Sequence, residues 1–353
     1  MFYNREQEKK FLLNILNKKS THIHFIYGPI NSGKTNLIAH ILDGLPKEYM
    51  SFYNNFRRRD INCNGDFLNT LFNIDDKTKL QRVGEYVSEI LKDSSDILEL
   101  TTGIPIPSGI FNKLFNTTLD KGEDSFRYLE NFFNSLVKRK IKPIFILDEL
   151  QIIKEIANSN GDLLIEKLFN FLVGITKETH LCHCFVVSSD SVFIEHVYGN
   201  ARLEGRSRFI IVDDLDKERA YKMYDHFDLK ENKDFVWDTI GGKIGDMVLL
   251  SSDIQIGYSL KESLSNMMSG EVFRLKMIEA RLFHKNKKEC QQQMDFLFQV
   301  TKNKSVDFEP KEMFQLLQFW VDKNVLFLDP IKNIIKPQSQ LIYQGIKKLI
   351  KVS

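Results

Sequence analysis

Long apolar runs are missing from this 353-residue chain. No stretch approaches the roughly 18 residues that a membrane-spanning helix needs, and the opening MFYNREQEKK is charged without the apolar centre of a secretion signal. No membrane association is expected, and the cytoplasm is the expected location. Cysteine is scarce, and Cys63, Cys182, Cys184 and Cys290 show no framework-like spacing, so reduced thiols are expected rather than disulfides. Internal repeats and low-complexity tracts are absent, which excludes solenoids and disordered linkers. An excess of one charge is lacking too, since the net charge is only +2.

That small net charge is unevenly spread. Glu271 to Ser353 carry 15 Lys and Arg against 9 Asp and Glu, a net of +6 that leaves −4 for the first 270 residues. The C-terminal part therefore has a weak bias towards an acidic partner such as DNA. With 42% hydrophobic and 27% charged residues the composition is that of a soluble globular protein. The length exceeds the roughly 250 to 300 residues at which single cores stop growing, so more than one domain is expected.

Apolar residues at helical spacing over Glu6 to Asn17 predict an amphipathic helix. The short run HIHFIY, His22 to Tyr27, then reads as a strand that ends at Gly28, and helical patterning resumes at Thr35 to Leu42. Tyr49 to Tyr53 is a candidate second strand, followed by Arg57 to Arg59, which could touch phosphates but are more commonly part of a solvated loop. A helix near Leu80 to Lys92 and a loop at Gly103 to Pro107 follow. Ser125 to Lys140 is helical. The two-sided apolar run IFILDE, Ile144 to Glu149, suits a buried parallel strand. Helix Leu163 to Ile175, strand Cys182 to Ser188 and strand Phe209 to Val212 continue an alternation that implies α/β architecture, a parallel sheet with helices on both faces. From Leu215 helices dominate. Helix Pro310 to Lys323, a hairpin of Val325 to Asp329 with Asn333 to Pro337, and helix Gln340 to Ile350 suggest a winged-helix-like end. The expected division is 1–213 for the sheet core, 214–270 for a helical lid and 271–353 for the winged-helix-like domain.

The segment Gly28 to Thr35, GPINSGKT, satisfies GxxxxGK[ST] between a strand and a helix. In that pattern backbone N–H groups surround phosphate oxygens, a lysine reaches the outer phosphates and a hydroxyl meets Mg²⁺. Gly28, Pro29, Ile30, Asn31, Ser32, Gly33, Lys34, Thr35 and the adjoining Asn36 are the candidate nucleotide-binding residues, with Lys34 also catalytic. The helix that starts near Lys34 turns its positive end to the anion. Asp148 is the candidate second holder of Mg²⁺ beside Thr35, and Glu149 the candidate general base that orients the attacking water. Ser188, at the end of another core strand, is a candidate γ-phosphate contact, with a helix-capping role for the Ser188 to Asp190 segment as the plain alternative. Among Arg202, Arg206 and Arg208, Arg206 is the candidate arginine finger, for its own site or a neighbour's, with a surface ion pair as the plain alternative. Cys182, His183 and Cys184 are not a metal site by this reading, because strand alternation turns His183 away from the two thiols.

With these residues in place the chain resembles the archaeal ATPase family within the STAND branch of AAA+-like P-loop ATPases. The resemblance rests on FYNREQE at Phe2 to Glu8, YGPINSGKT, ILDELQ at Ile146 to Gln151 and GRSR at Gly205 to Arg208. It implies ATP and Mg²⁺ as ligands, with adenine near Phe2 to Arg5, and a C-terminal winged helix. It also implies a lid motif of the GG-x-P kind, for which Gly241, Gly242, Lys243, Ile244 and Gly245 supply the glycines but place Ile244 where proline is expected. The leading expectation is a nucleotide-controlled switch, a slow Mg²⁺-dependent ATPase with a protein partner. The alternative is an ATP-licensed, DNA-binding initiator or transposition-type regulator. Against that alternative, the approach to the presumed recognition helix, Ser305 to Glu309, is acidic and would repel phosphates.

Overall fold

The computed structural model describes residues 5–58, 61, 66, 67, 71, 122–154, 156, 163–229 and 232–350. The helix expected near Leu80 to Lys92 and the loop at Gly103 to Pro107 lie outside the described residues. Five strands, β1 (Ile23–Tyr27), β2 (Tyr49–Asn55), β3 (Lys142–Asp148), β4 (His183–Ser188) and β5 (Ser207–Ile211), form one sheet in the order β2-β3-β4-β1-β5. Every pairing is parallel. The three central strands are the continuous apolar runs and are almost wholly buried. The edge strand β2 buries alternate residues, as expected where one face is covered more deeply than the other.

Helices cover both faces. On one side α1 (Glu6–Leu16) and α2 (Lys34–Asp43) pack Leu12, Leu16, Leu37 and Ile41 on Ile26, Ile144, Ile146 and Val187. On the other, α3 (Gly122–Lys138), α4 (Leu164–Val173) and α5 (Ser191–Tyr198) bring Phe133, Phe169 and Ile194 onto Phe25, Phe145 and Val186. Strand alternation explains the split, since Phe25 and Ile26 point to opposite faces. It also places Cys182 and Cys184 in the larger core. His183 turns to the α1 side, where burial and the nearby Lys142 lower its pKa against weaker backbone hydrogen bonds from that helix's end.

After β5 the chain becomes helical: α6 (Lys217–His226), α7 (Lys233–Ile240), α8 (Ile244–Gln255) and α9 (Leu260–Lys285). These share a core of Leu215, Tyr224, Val236, Ile240, Met247 and Leu264. The last part holds α10 (Lys287–Lys302), β6 (Val306–Asp307), α11 (Pro310–Asp322), β7 (Leu326–Asp329), β8 (Ile334–Pro337) and α12 (Gln340–Ile350), with a small antiparallel sheet in the order β6-β8-β7. Its core is centred on Phe296, Leu297, Leu317, Trp320 and Ile346. Helix α9 runs unbroken past position 270 and serves both cores, Leu264 and Met268 in one and Leu275 and Leu282 in the other. Among the described residues no helix is long and apolar enough to cross a membrane.

One buried group of the core makes a pH prediction. His24 is 7% exposed against Phe185, and its Nδ1 has no hydrogen-bond partner. Burial first, then the neighbouring His183, His22 and Arg208, bring its pKa from 6.5 down to about 4. As pH falls the unfolded chain takes up this proton first. The corresponding stability is therefore complete above about pH 6.5 and is lost between about 6.5 and 4, with a magnitude of order 3 kcal/mol. Urea denaturation across that window should show the loss, and His24→Phe should flatten it. An unflattened profile in the variant would remove the assignment to His24.

Candidate active site

The loop Gly28 to Thr35 leaves the C-terminal end of β1 and opens α2. Gly33 is the N-cap of that helix with φ 93°, a left-handed conformation that glycine adopts without penalty. The ammonium of Lys34 is 6% exposed and turned onto the loop itself, donating to the carbonyls of Gly28 at 2.9 Å and Pro29 at 2.8 Å. Burial, then repulsion by Lys243, bring its pKa down to about 8, against the pull of Glu149, Asp148 and Asp214. Arg5 is buried behind the loop. Its guanidinium donates to the carbonyls of Ser32 at 2.7 Å and Asp213 at 2.6 Å, and pairs with Glu8 at 2.9 Å. It thus ties the loop to the segment that follows β5. Phe2 lies outside the described residues.

The strand ends bring the carboxylates to the loop. Asp148 Oδ2 accepts from Thr35 Oγ1 at 3.0 Å, Tyr53 OH at 2.5 Å and Asn55 Nδ2 at 3.1 Å, while its buried Oδ1 has no protein partner. A carboxylate oxygen so oriented beside the loop hydroxyl fits a divalent cation, which is bound by hard oxygen donors. Glu149 follows in a left-handed conformation, φ 62°, uncommon for a non-glycine residue and frequent at functional sites. Its N–H donates to the Val187 carbonyl at 2.9 Å. Its Oε2 accepts from Arg57 at 2.8 Å and from Gln151 Nε2 at 2.6 Å. Gln151 Oε1 in turn accepts from Ser188 Oγ at 2.9 Å. Ser188 is therefore one step removed from Glu149, in a relay that runs through Gln151. Asp190 caps α5 with two backbone hydrogen bonds.

The segment Gly241 to Gly245, between α7 and α8, reaches the same place. Lys243 is 3% exposed, donates to the Ile30 carbonyl at 2.8 Å and pairs with Asp214 at 3.1 Å. The Gly245 N–H donates to the Asn31 carbonyl at 3.2 Å. A Cβ at Gly242 would lie 1.7 Å from the Leu215 carbonyl, so this segment meets the end of the core backbone to backbone. Ile244 opens α8 at the first helical position, where proline is equally at home, and its Cδ1 would touch a Cβ at Gly33 at 3.2 Å. Ile244 and Gly245 thus contact the loop at Gly33 and Asn31. A cavity of about 370 Å³ lies among Asn31, Lys34, Thr35, Asn36, Glu149 and Val248.

The third region docks here as well. Tyr27, the last residue of β1, donates to Asp329 Oδ1 at 2.8 Å, both groups being buried. The Ile30 N–H donates to Gln338 Oε1 at 3.2 Å, and Lys336 reaches Asp213 at 2.5 Å.

The structure does not bring Arg206 to this loop. It precedes β5, at the strand starts, whereas the loop follows β1 at the strand ends, about 16 Å away for five residues of strand; Arg206 donates to the Arg202 carbonyl. Arg202 itself pairs with Glu166. Arg57 is exposed, in keeping with a solvated position, and also pairs with Glu149. Besides Arg57, sequence reasoning missed Tyr53, Asn55, Gln151, Lys243 and Gln338. The usable signal was the period-two spacing of Tyr53 and Asn55, which share a strand face.

Comparisons with known proteins agree with this geometry. A family described as an ATPase domain predominantly from Archaea matches residues 2–250, and the C-terminal domain of an uncharacterized ATP-binding protein matches residues 261–350. An uncharacterized ATP-binding protein of Methanocaldococcus jannaschii is 36% identical over 364 residues, covering 99% of this chain and 98% of its own. One from Pyrococcus abyssi is 34% identical over 353 residues, covering 100% and 99%. Among solved structures, a Walker-type ATPase of Pyrococcus abyssi superposes with a TM-score of 0.63 at 14% identity, covering 98% of this chain and 96% of that one, a likeness of fold. A strand-loop-helix phosphate cradle, paired carboxylates on the next strand but one and full-length similarity to ATP-binding relatives lead to one conclusion: the chain belongs to the archaeal ATPase family.

Proposed function

We propose that this protein is a Mg²⁺-dependent ATPase that works as a slow, nucleotide-controlled switch. The observation that carries this reading is the convergence of Thr35, Tyr53 and Asn55 on one oxygen of Asp148, which leaves the other oxygen free beside the loop. Thr35 and Asp148 would hold the cation, whose chemistry is to neutralise charge on the phosphate oxygens. Lys34 exchanges the carbonyls of Gly28 and Pro29 for the outer phosphates, with the N–H groups of Asn31 to Thr35 and the start of α2 completing the cradle. Asn36 and, through its hold on Ser32, Arg5 shape the nucleoside side, together with Phe2.

In hydrolysis Glu149 accepts a proton from the attacking water as that oxygen bonds to the γ-phosphorus and the bond to the β-phosphate oxygen breaks. Gln151 and Ser188 keep the Glu149 carboxylate in place. Arg206 would serve only the site of a second copy, since its own loop is out of reach. The units 1–213, 214–270 and 271–353 act as core, lid and winged-helix-like domain. Lys243 and Ile244 report the state of the loop to the lid, and α9 carries lid motion into the last unit, where it alters the surface offered to a protein partner. DNA binding by that unit has less in its favour, because its hairpin is packed on the core and Phe327 belongs to the core's own cluster.

Binding is tested first. ATP with Mg²⁺ at about 100 times Kd should stabilise the protein by about 2.7 kcal/mol, read as a rise in melting temperature. Lys34→Ala should abolish that rise, and chelation of divalent cations should shrink it. An equal rise in Lys34→Ala, or none in the unmutated protein, would overturn the reading.

A further inference from the structure

The two ends of the sheet differ in charge. At the strand ends the acids Asp148, Glu149, Asp213 and Asp214 are interleaved with Lys34, Arg57, Lys243 and Lys336. At the strand starts the chain places lysine and histidine. A cavity of about 430 Å³ opens there among the end of α1, the turn from α3 into β3 and the turn into β4. Its cations are Lys18, Lys19, Lys140 and Lys142, with His180 and His183 beside them, and no carboxylate is among its lining residues. All four lysines are exposed. Lys142 shares an ion pair with Glu48 at 3.0 Å, both half-exposed, a pair weakly held in water. His180 is fixed against the Ser20 carbonyl at 2.6 Å. Further along the same rim burial first, and then the nearby Arg208 and Lys177, lower the pKa of His22. Glu178 is the acid next to Lys177.

We propose that this basal rim binds the phosphate backbone of a nucleic acid, at the opposite end of the core from ATP and independently of the winged-helix-like unit. Three features select that ligand. The cations are flexible lysines around a concave opening with few exposed apolar anchors, which suits a repeated charge rather than a peptide that needs buried side chains. The basic rim crosses the four strands β3, β4, β1 and β5, about 14 Å, enough for a few successive phosphates. Long-range attraction by such a patch is sequence-independent and salt-dependent. A comparison cluster, Lys285, Lys287 and Lys288, lies where α9 ends and α10 begins.

The test uses the full chain and fluorescently labelled oligonucleotides of about 20 nucleotides, single- and double-stranded, in two unrelated sequences, titrated across a salt series. Both sequences should bind equally, and for about four neutralised phosphates the slope of log K against log salt on duplex should be about −3.5. Lys18→Glu with Lys19→Glu and Lys140→Glu should weaken binding at least about 30-fold at low salt and flatten the slope. The milder Lys→Gln triple should weaken it less, with both triples melting as the unmutated protein does. Both should also keep the ATP-induced rise in melting temperature, which separates this site from the nucleotide site. The same charge change at Lys285, Lys287 and Lys288 should leave binding within about 3-fold. No binding by the unmutated chain, or loss only in the second cluster, would overturn the proposal.

Discussion

Glu149→Gln should bind ATP as the unmutated protein does and release phosphate at least about 100-fold more slowly, the scale on which a positioned general base contributes. The amide keeps the side chain's size, and its oxygen can still accept from Arg57 or Gln151, which bond Oε2 now. What it loses is the capacity to take a proton from water. The left-handed backbone at Glu149 and its N–H bond to Val187 leave the main chain indifferent to the change, so a folding defect is not expected. Binding is read from the ATP-induced rise in melting temperature and turnover from phosphate release under saturating ATP. Gln151→Ala makes a graded companion. It leaves the proton acceptor in place but removes one of its two anchors and the link to Ser188, so a smaller fall of about 10-fold is expected, mostly in kcat. Hydrolysis by Glu149→Gln at the unmutated rate would show that another group handles the proton.

Much of this site was legible because it is written in contiguous strings. GPINSGKT and ILDE each combine a buried strand with the polar residues at its end, and a parallel sheet gathers strand ends on one side. The hairpin Leu326–Asp329 with Ile334–Pro337 and the closing helix Gln340–Ile350 were legible for the same local reason. The relay around Glu149 was not. Arg57 sits after an edge strand and, by composition, belongs to a solvated run; only the register that sets Asn55 opposite Asp148 brings it to the carboxylate. Lys243 reads as a spacer between glycines until the backbone approach of Gly242 to Leu215 places it over the loop. Arg206 illustrates the converse. Its neighbourhood in the sequence did not say whether a finger there serves its own site or a neighbour's; it precedes its strand, and strand starts lie at the far end of the sheet from its own loop. Net charge misled in the same way. The first 270 residues are acidic in total, yet at the strand starts Lys18, Lys19, Lys140 and Lys142 gather around one cavity.

Removing the carboxylate in Asp329→Ala should cost about 2 to 4 kcal/mol and release the C-terminal unit from the core. Asp329 is 1% exposed. It accepts from the Tyr27 hydroxyl, from the N–H groups of Ile331 at 3.1 Å and Lys332 at 3.2 Å, and faces the Lys332 ammonium at 3.9 Å. Alanine leaves the buried Tyr27 hydroxyl and the two turn amides without their acceptor, and an unsatisfied buried donor costs more than the bond itself contributed. Tyr27→Phe removes only the bond between units and keeps the ring stacked on Phe327, so its cost should be about 1 kcal/mol. The two variants separate turn stability from docking. If docking couples the last unit to the phosphate loop through Gln338 and Ile30, limited proteolysis of Asp329→Ala should cut the turn between β7 and β8 at a rate indifferent to ATP, whereas in the unmutated protein ATP should change that rate. Identical ATP dependence in both would mean that the hairpin is a fixed part of the core and that nucleotide state is carried by the lid alone.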